Sequence, residues 1–203
     1  MSRYQLSPLQ AFIKRSFDFT VALFGLLAVW WLIVLAWAAA SLDTRSNGFF
    51  VQERVGRWGR IFRVVKIKTM RPLADITTTV TRAGDPRITR LGRFFRKTKI
   101  DELPQLWNVL LGQMSFVGPR PDMPGFADTL TGEDAVVLTV RPGITGPATL
   151  KYKNEEALLA EQSDPEQFNR EVIWPDKVRI NREYVANWSF WKDIKYILQT
   201  ITG

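Results

Sequence analysis

Twenty-four consecutive residues, Phe19 to Leu42, carry no charged side chain: FTVALFGLLAVWWLIVLAWAAASL. At 1.5 Å per residue, a helix of this length matches a hydrocarbon core of about 30 Å. A buried helix of a water-soluble domain is seldom this long and this apolar on every side. The run is also too long for a cleaved signal peptide, and no small-residue cleavage site leads into a polar start. It therefore predicts a membrane anchor. Its flanks bear on topology. Arg3, Lys14 and Arg15 precede it, and Arg45, Arg54, Arg57 and Arg60 follow it. Basic flanks tend to stay cytoplasmic. A single crossing cannot keep both ends there, whereas a re-entrant hairpin can. Such a hairpin needs a bend, yet no proline lies between Pro8 and Pro72, and only Gly25 offers a weak kink point. Trp30, Trp31 and Trp37 suit a shallow, interfacial helix equally well. From these residues alone the placements stay open.

The 203 residues suffice for one compact domain plus a short appendage. The expected division is an anchor at 1–44 and a single catalytic-sized unit at 45–203. Cysteine and histidine are both absent. That excludes a disulfide framework, a thiolate nucleophile, a Cys/His zinc site and a Ser-His-Asp triad. If such a chain is an enzyme, carboxylates do its nucleophilic or acid–base work, beside a hard cation such as magnesium. The net charge of +8 is uneven: residues 45–100 hold 15 basic and 3 acidic groups, residues 101–203 hold 10 and 15. A basic block of this kind attracts phosphate, whether on nucleic acid, lipid headgroups or a phosphorylated substrate.

Two β-rich runs, Phe49–Gln52 and Ile61–Ile67, joined through Gly56 and Gly59, predict a hairpin. Residues 71–90 read as a loop around Pro72, Gly84 and Pro86. Helical signals run from Leu91 to Leu111 with a break near Asp101–Pro104, and Gly/Pro-rich, irregular backbone is expected over 112–147. Polar helices are expected at 154–162 and 165–183. In YVANWSFWKDIKYILQTI, Tyr184, Trp188, Trp191, Ile194, Leu198 and Ile201 recur at helical spacing. They fit either an interfacial amphipathic helix or a core-facing one.

The sharpest chemical signal is KTKIDELPQLWNVL. Pro104 suits a first helical turn, which places Asp101 near the N-cap with Glu102 just inside. Ordinary capping would explain acids there. The cations upstream, Arg93, Arg96, Lys97 and Lys99, point further. They keep a carboxylate ionised, and an ionised carboxylate beside a phosphate cradle can attack phosphorus. Neighbouring helical residues point about 100° apart, so Asp101 and Glu102 suit two roles rather than one shared proton. Two loops, GPRP (118–121) and RPGITG (141–146), each offer an arginine fork on a Gly/Pro backbone. Lys66 and Lys68 share one strand face by period two, so either can reach a site, while most of the cations near them suit anionic headgroups.

Five stretches carry a resemblance: KRSFD (14–18), QERVGRWGRIFRVVKIKTMR (52–71), GDPRITRLGRFFRKTKIDELPQLWNVLLGQMSFVGPRP (84–121), RPGITG (141–146) and EYVANWSFWKDIKYILQTI (183–201). Together they resemble the bacterial sugar transferases, monotopic phosphoglycosyl transferases of the minimal type. The resemblance implies a mostly helical α+β fold: a membrane-inserted, re-entrant N-terminal helix, a β-hairpin, and interfacial amphipathic helices around a small catalytic domain. It implies transfer of a sugar-1-phosphate from a UDP-sugar donor to a polyprenol (undecaprenyl) phosphate acceptor, with release of UMP, on the cytoplasmic face of the bacterial inner membrane. It implies that Asp101 attacks the sugar-linked phosphorus and forms an acyl phosphosugar, with Mg²⁺ near that carboxylate and Glu102 as second member of the pair. Arg96, Arg120 and Arg141 fall at the family's basic positions, and Gly143, Thr145 and Gly146 lie in its loop. Lys66 and Lys68 join them as candidate substrate-binding residues. Membrane lipids are the expected surroundings, and nucleic acid is not an expected partner.

Two departures stand out. Where the family commonly breaks its apolar helix with Ser-Pro, this chain has Trp30–Trp31. Where the family often has Ala-Gln after RPGITG, Ala148 is followed by Thr149, so the KYKNEEALLAEQ segment is expected to differ around the sugar or acceptor. The competing reading is a non-catalytic, membrane-anchored polybasic module for anionic lipid or nucleic acid. It accounts for the basic middle, but gives no reason for Asp101–Glu102 within it or for two Gly/Pro/Arg loops.

Overall fold

The structure, a computed structural model, describes residues 6–72, 81 and 84–203. Much of the loop expected over 71–90, and Arg3 in the basic flank, lie outside the described residues. The apolar run is the middle of a 37-residue helix, α1 (Pro8–Thr44), about 55 Å long. Ser7 starts it with a capping box: its hydroxyl accepts from the Gln10 amide, and the Gln10 side chain accepts from the Ser7 amide. Arg45, in the left-handed conformation, ends it. The helix continues unbroken through Gly25 and Trp30–Trp31. No break in helical backbone occurs inside α1. The reason is local: there is no proline to remove a backbone bond, and Gly25 lets Leu106 approach, with a Cβ there 3.4 Å from the leucine methyl.

The hairpin forms as expected, with β1 (Phe49–Val55) three residues longer than its predicted run and antiparallel to β2 (Ile61–Ile67). Trp58 and Gly59 turn the chain at positive φ. Helix α2 (Arg90–Thr98), a 3₁₀ turn at Ile100–Glu102 and α3 (Gln105–Leu110) reproduce the expected break. The Gly/Pro-rich stretch is more regular than expected. It contains β3 (Ser115–Val117) and β4 (Gly143–Thr145), which pair in parallel. Helices α4 (Pro147–Lys151), α5 (Glu155–Ala160) and α6 (Pro165–Phe168) follow, then a π-helical segment at Asn169–Ile173 and α7 (Trp174–Ala186). The C-terminal pattern splits: α7 stops at Ala186, and Ser189 caps a separate α8 (Phe190–Thr202) by accepting from the Lys192 amide. The core-facing reading holds for one face, and the other face is exposed. Asp193 turns inward, and Tyr196 and Ile197 pack on the Val117–Tyr184–Val185 core. Trp191, Leu198 and Ile201 are exposed.

Helix α1 is not a detached anchor. Lys14, Asp18 and Ala22, then Ala36, Ala40 and Thr44, are buried at four-residue steps, so one stripe faces the rest of the chain. Ala22 joins Val64, Val109 and Met114 in one core cluster, and Ala36 and Ala40 join Ile67 and Phe95 in another. The opposite side is bare, with Phe12, Phe24, Leu27, Trp31, Leu35 and Leu42 exposed. That side is what makes the helix suitable for lipid, since no protein covers it.

The cations before the apolar run have internal partners. Lys14 Nζ donates to Asp193 Oδ2 at 2.5 Å and to the Val117 carbonyl at 2.9 Å. Asp193 also accepts from Tyr184 Oη (2.8 Å) and Trp188 Nε1 (3.0 Å). Arg15 donates to the carbonyls of Val109 and Leu110, each at 2.7 Å, satisfying the open end of α3. Asp18 Oδ1 accepts from Ser115 Oγ and the Phe116 amide. Removing one partner of a buried ion pair leaves the other uncompensated, at a cost of about 3–5 kcal/mol. Lys14→Met is expected to lower unfolding stability in detergent by that order, read as a denaturant midpoint. The exposed control Lys68→Met, whose ammonium donates to Ser46 Oγ, should change it by less than about 1 kcal/mol.

Candidate functional site

Helix α2 ends at Lys99, whose left-handed backbone (φ 58°) swings the chain into the Ile100–Glu102 turn. Pro104 then opens α3. Successive residues of a 3₁₀ turn point about 120° apart, so the two acids face different surroundings. Glu102 is pinned: its Oε1 accepts from Lys66 Nζ at 3.0 Å and from Arg120 Nη2 at 2.8 Å. Burial alone would raise its pKa, but the Arg120 and Lys66 charges override this and hold it well below the usual carboxylate range.

Asp101 is buried, 8% exposed, and its Oδ1 has no hydrogen-bond partner. It caps no helix, so ordinary capping does not explain it. Burial, then the Glu102 charge, push its pKa up to about 6, against the pull of Lys66, Arg96 and Lys99. An ionisable oxygen kept dry and unpaired costs stability and calls for a water, a ligand or a reaction to account for it; Asp18 Oδ2, packed between α1 and β3, is another such oxygen. Four residues on from Asp101, at the start of α3, the buried Gln105 leaves its Nε2 unpaired among the described residues.

Lys66 and Arg120 thus meet Glu102 directly. Arg96 acts on Asp101 through its charge while its Nη1 donates to Glu156 at 2.9 Å. The other predicted site residues do not gather there. Lys68 lies beyond the end of β2 and donates to Ser46 Oγ at 2.8 Å, so the shared-face argument holds for Lys66 alone. Arg141 Nε donates to the Gly112 carbonyl at 2.7 Å, and the charges it feels are those of Arg57, Arg15 and Asp18. Gly143, Thr145 and Gly146 buttress the neighbouring loop instead. A Cβ on Gly143 would lie 2.2 Å from the Gly118 nitrogen, and one on Gly146 2.5 Å from the Gly118 oxygen. Only glycine lets these backbones touch. Thr145 Oγ1 bonds Thr200 Oγ1 at 2.6 Å. The RPGITG loop therefore sets the course of the GPRP loop, which in turn delivers Arg120.

Sequence reasoning missed Asp122, one residue beyond GPRP. Burial raises its pKa to about 6, against Lys177, Arg54 and Arg120. Lys177 in turn donates to both oxygens of Glu155, at 2.7 Å each. The charged cluster thus extends from the acid pair toward α5 and α7. Asp122 directly follows Arg120–Pro121, and that adjacency was the available signal.

Among the described residues no group of three or more acidic side chains could cage a metal. Mg²⁺ commonly binds through one or two carboxylates plus substrate phosphates rather than through an all-protein cage. The unpaired Asp101 Oδ1 fits that mode, and Glu102 Oε1, already held by two cations, does not.

Comparisons with known proteins identify a family. A model of the bacterial sugar transferase family matches residues 9–203. The undecaprenyl-phosphate glucose phosphotransferase of Komagataeibacter xylinus is 38% identical over 212 residues, covering 99% of this chain and 37% of the relative. The sugar transferase EpsL of Bacillus subtilis is 35% identical over 189 residues, covering 93% of this chain and 85% of the relative. A Bacillus subtilis protein named as a putative undecaprenyl-phosphate N-acetylgalactosaminyl 1-phosphate transferase is 42% identical over 144 residues, 70% of this chain and 79% of its own. The chain spans only about two fifths of the longer relatives, 37% and 40% of two of them. With its family model spanning nearly every residue and its acid pair set among cations, this chain belongs to the bacterial sugar transferase family.

Proposed function

We propose that the chain transfers a sugar-1-phosphate from a UDP-sugar to a polyprenol phosphate such as undecaprenyl phosphate. The observation that carries this is the split acid pair: Glu102 pinned by Lys66 and Arg120, Asp101 beside it with an unpaired oxygen. In the first step an Asp101 oxygen attacks the sugar-linked phosphorus. The bond from that phosphorus to the bridging oxygen breaks, UMP leaves, and an acyl phosphosugar remains on Asp101. In the second step an oxygen of the acceptor phosphate attacks the same phosphorus. The carboxylate departs, and polyprenyl diphosphate sugar forms. Phosphoryl transfer depends mainly on positioning and charge neutralisation. Lys66, Arg120 and Arg96 supply fixed positive charge around the phosphates. Glu102 holds the first two in place. Bound Mg²⁺ would neutralise charge on the donor diphosphate, with Asp101 as its protein ligand.

The same reading places the chain at the cytoplasmic face of the inner membrane. Both ends of α1 are fastened to one body, through Lys14–Asp193 and through Ala36 and Ala40. This supports a helix lying in one leaflet beside that body, with the bare side toward lipid. The exposed residues of α8 extend the same contact. The two ends then share the cytoplasmic side without a hairpin bend.

Asp101→Asn is expected to abolish UMP release and the exchange of labelled UMP into UDP-sugar, by about 10³-fold or more. Wild-type protein incubated with donor alone should gain one sugar phosphate in its intact mass, and the variant none. Glu102→Gln, which keeps the nucleophile but loosens the cations, should lower turnover by about 10²-fold. An Asp101→Asn variant with wild-type exchange would sink the covalent route. For topology, single cysteines replacing Leu9 and Arg45 should both react with an impermeant maleimide in inverted vesicles and neither in intact spheroplasts; labelling from opposite sides would refute it.

A further inference from the structure

Between its two seats, α1 leaves a groove. The buried stripe steps from Lys14 to Asp18 to Ala22 and resumes at Ala36, Ala40 and Thr44. The inward positions between, Leu26, Val29 and Ile33, are only partly buried. This interval of fourteen residues spans about 21 Å. Below it lies an apolar groove of about 530 Å³, walled by Leu26, Trp30 and Ile33 on α1 and by Val65, Pro104 and Trp107 on the body. That volume is in the range of ligand sites. An interval that faces the body yet stays unfilled is unlike the close packing of the alanine seats on either side.

We propose that this groove holds the first isoprene units of the polyprenol phosphate acceptor; the proposal rests on the transferase reading above. The placement argues for that occupant. Pro104 is three residues from Asp101 and begins the helix that follows the acid turn. Val65 and Lys66 are neighbours in β2 and take opposite faces of the strand, Val65 toward the groove and Lys66 toward Glu102. In the proposal the chain enters with its phosphate at the Pro104 end, next to the acid turn. The rim is open to lipid, since Leu27, Trp30, Val34 and Trp107 are exposed. A long tail can thus leave the groove sideways into the membrane. An acyl chain of bulk phospholipid fits the same apolar surface, but the nearby acid turn gives it no reaction to serve.

Ile33→Trp and, separately, Leu26→Trp fill the groove from α1. Each should lower kcat/KM for the 55-carbon polyprenol phosphate by about tenfold or more relative to the same variant's rate of exchange of labelled UMP into UDP-sugar, a half-reaction that needs no acceptor. A folding defect lowers both and leaves that ratio unchanged, so the ratio reads the groove alone. An unchanged ratio in both variants overturns the proposal. In parallel, wild-type protein in phosphatidylglycerol vesicles is photolysed with a 55-carbon polyprenol phosphate carrying a diazirine on its second isoprene unit. Labelling should fall on peptides containing Trp30 or Trp107 and be displaced by unlabelled polyprenol phosphate but not by added phosphatidylglycerol. Displacement by phosphatidylglycerol makes the groove an ordinary lipid seat and overturns the proposal, as does labelling elsewhere. If wild-type protein exchanges no UMP into UDP-sugar, the transferase reading fails, and the crosslink still decides what the groove holds.

Discussion

A lysine on the first helix and an aspartate on the last form the bond on which the architecture turns. Lys14 and Asp193 lie 179 residues apart, both nearly excluded from water. Taking two charges out of water is costly, and it is tolerated only where their remaining hydrogen-bonding capacity is met. Here it is met: Val117 accepts from the lysine, and Tyr184 and Trp188 donate to the aspartate. The pair thus joins α1, β3, α7 and α8 at one point. It also fixes the rotation of α1. Once Lys14 faces inward, four-residue steps bring Asp18 to the β3 backbone and Ala22 to the Val64–Val109–Met114 core. Everything on the other side of the helix is committed to the outside.

That commitment explains how a helix apolar all round coexists with a small folded body. A fully apolar helix has no preferred face of its own. Its orientation comes from the charged residues N-terminal to the run and from small alanines that let the backbone approach. Leucines, phenylalanines and tryptophans are left for lipid. The cations divide similarly. Arg15, Arg57 and Arg141 meet the carbonyls of Val109 and Leu110, of Thr139, and of Gly112. Lys66 and Arg120 meet Glu102. Some of the positive charge thus braces backbone, and some surrounds the acid pair.

The sequence made legible what is local. The apolar run, the hairpin, the break at Asp101–Pro104 and the acid pair itself all rest on residues within a few positions of one another. What it hid was long-range. Lys14 and Arg15 read as a basic flank, because their partners lie 94 or more residues away. Arg141 read as a phosphate fork beside the acids, because a Gly/Pro/Arg loop looks the same whether it binds a ligand or braces another loop. Its glycines touch the backbone of Gly118, and no spacing rule shows that. The C-terminal pattern read as one helix because apolar residues recur across Asn187–Ser189 at the right interval. Asp193, an acid amid tyrosines and tryptophans, was the mark of an inward face.

The division of labour within the acid pair follows from the same economy of charge. Two adjacent carboxylates in one basic site would be equivalent if each had the same neighbours. The tight turn prevents this, sending Glu102 to Lys66 and Arg120 and leaving Asp101 without a bonded cation. A carboxylate locked to two cations is a poor nucleophile, because its lone pairs are engaged and its negative charge is already neutralised. One that is dry and unpaired keeps its basicity. Lys66 and Arg120 nevertheless remain within electrostatic reach of Asp101, so in the proposed mechanism they neutralise phosphate oxygens without quenching the attacking one. Glu102 is therefore best understood as the residue that fixes the positive field, and Asp101 as the residue that works within it.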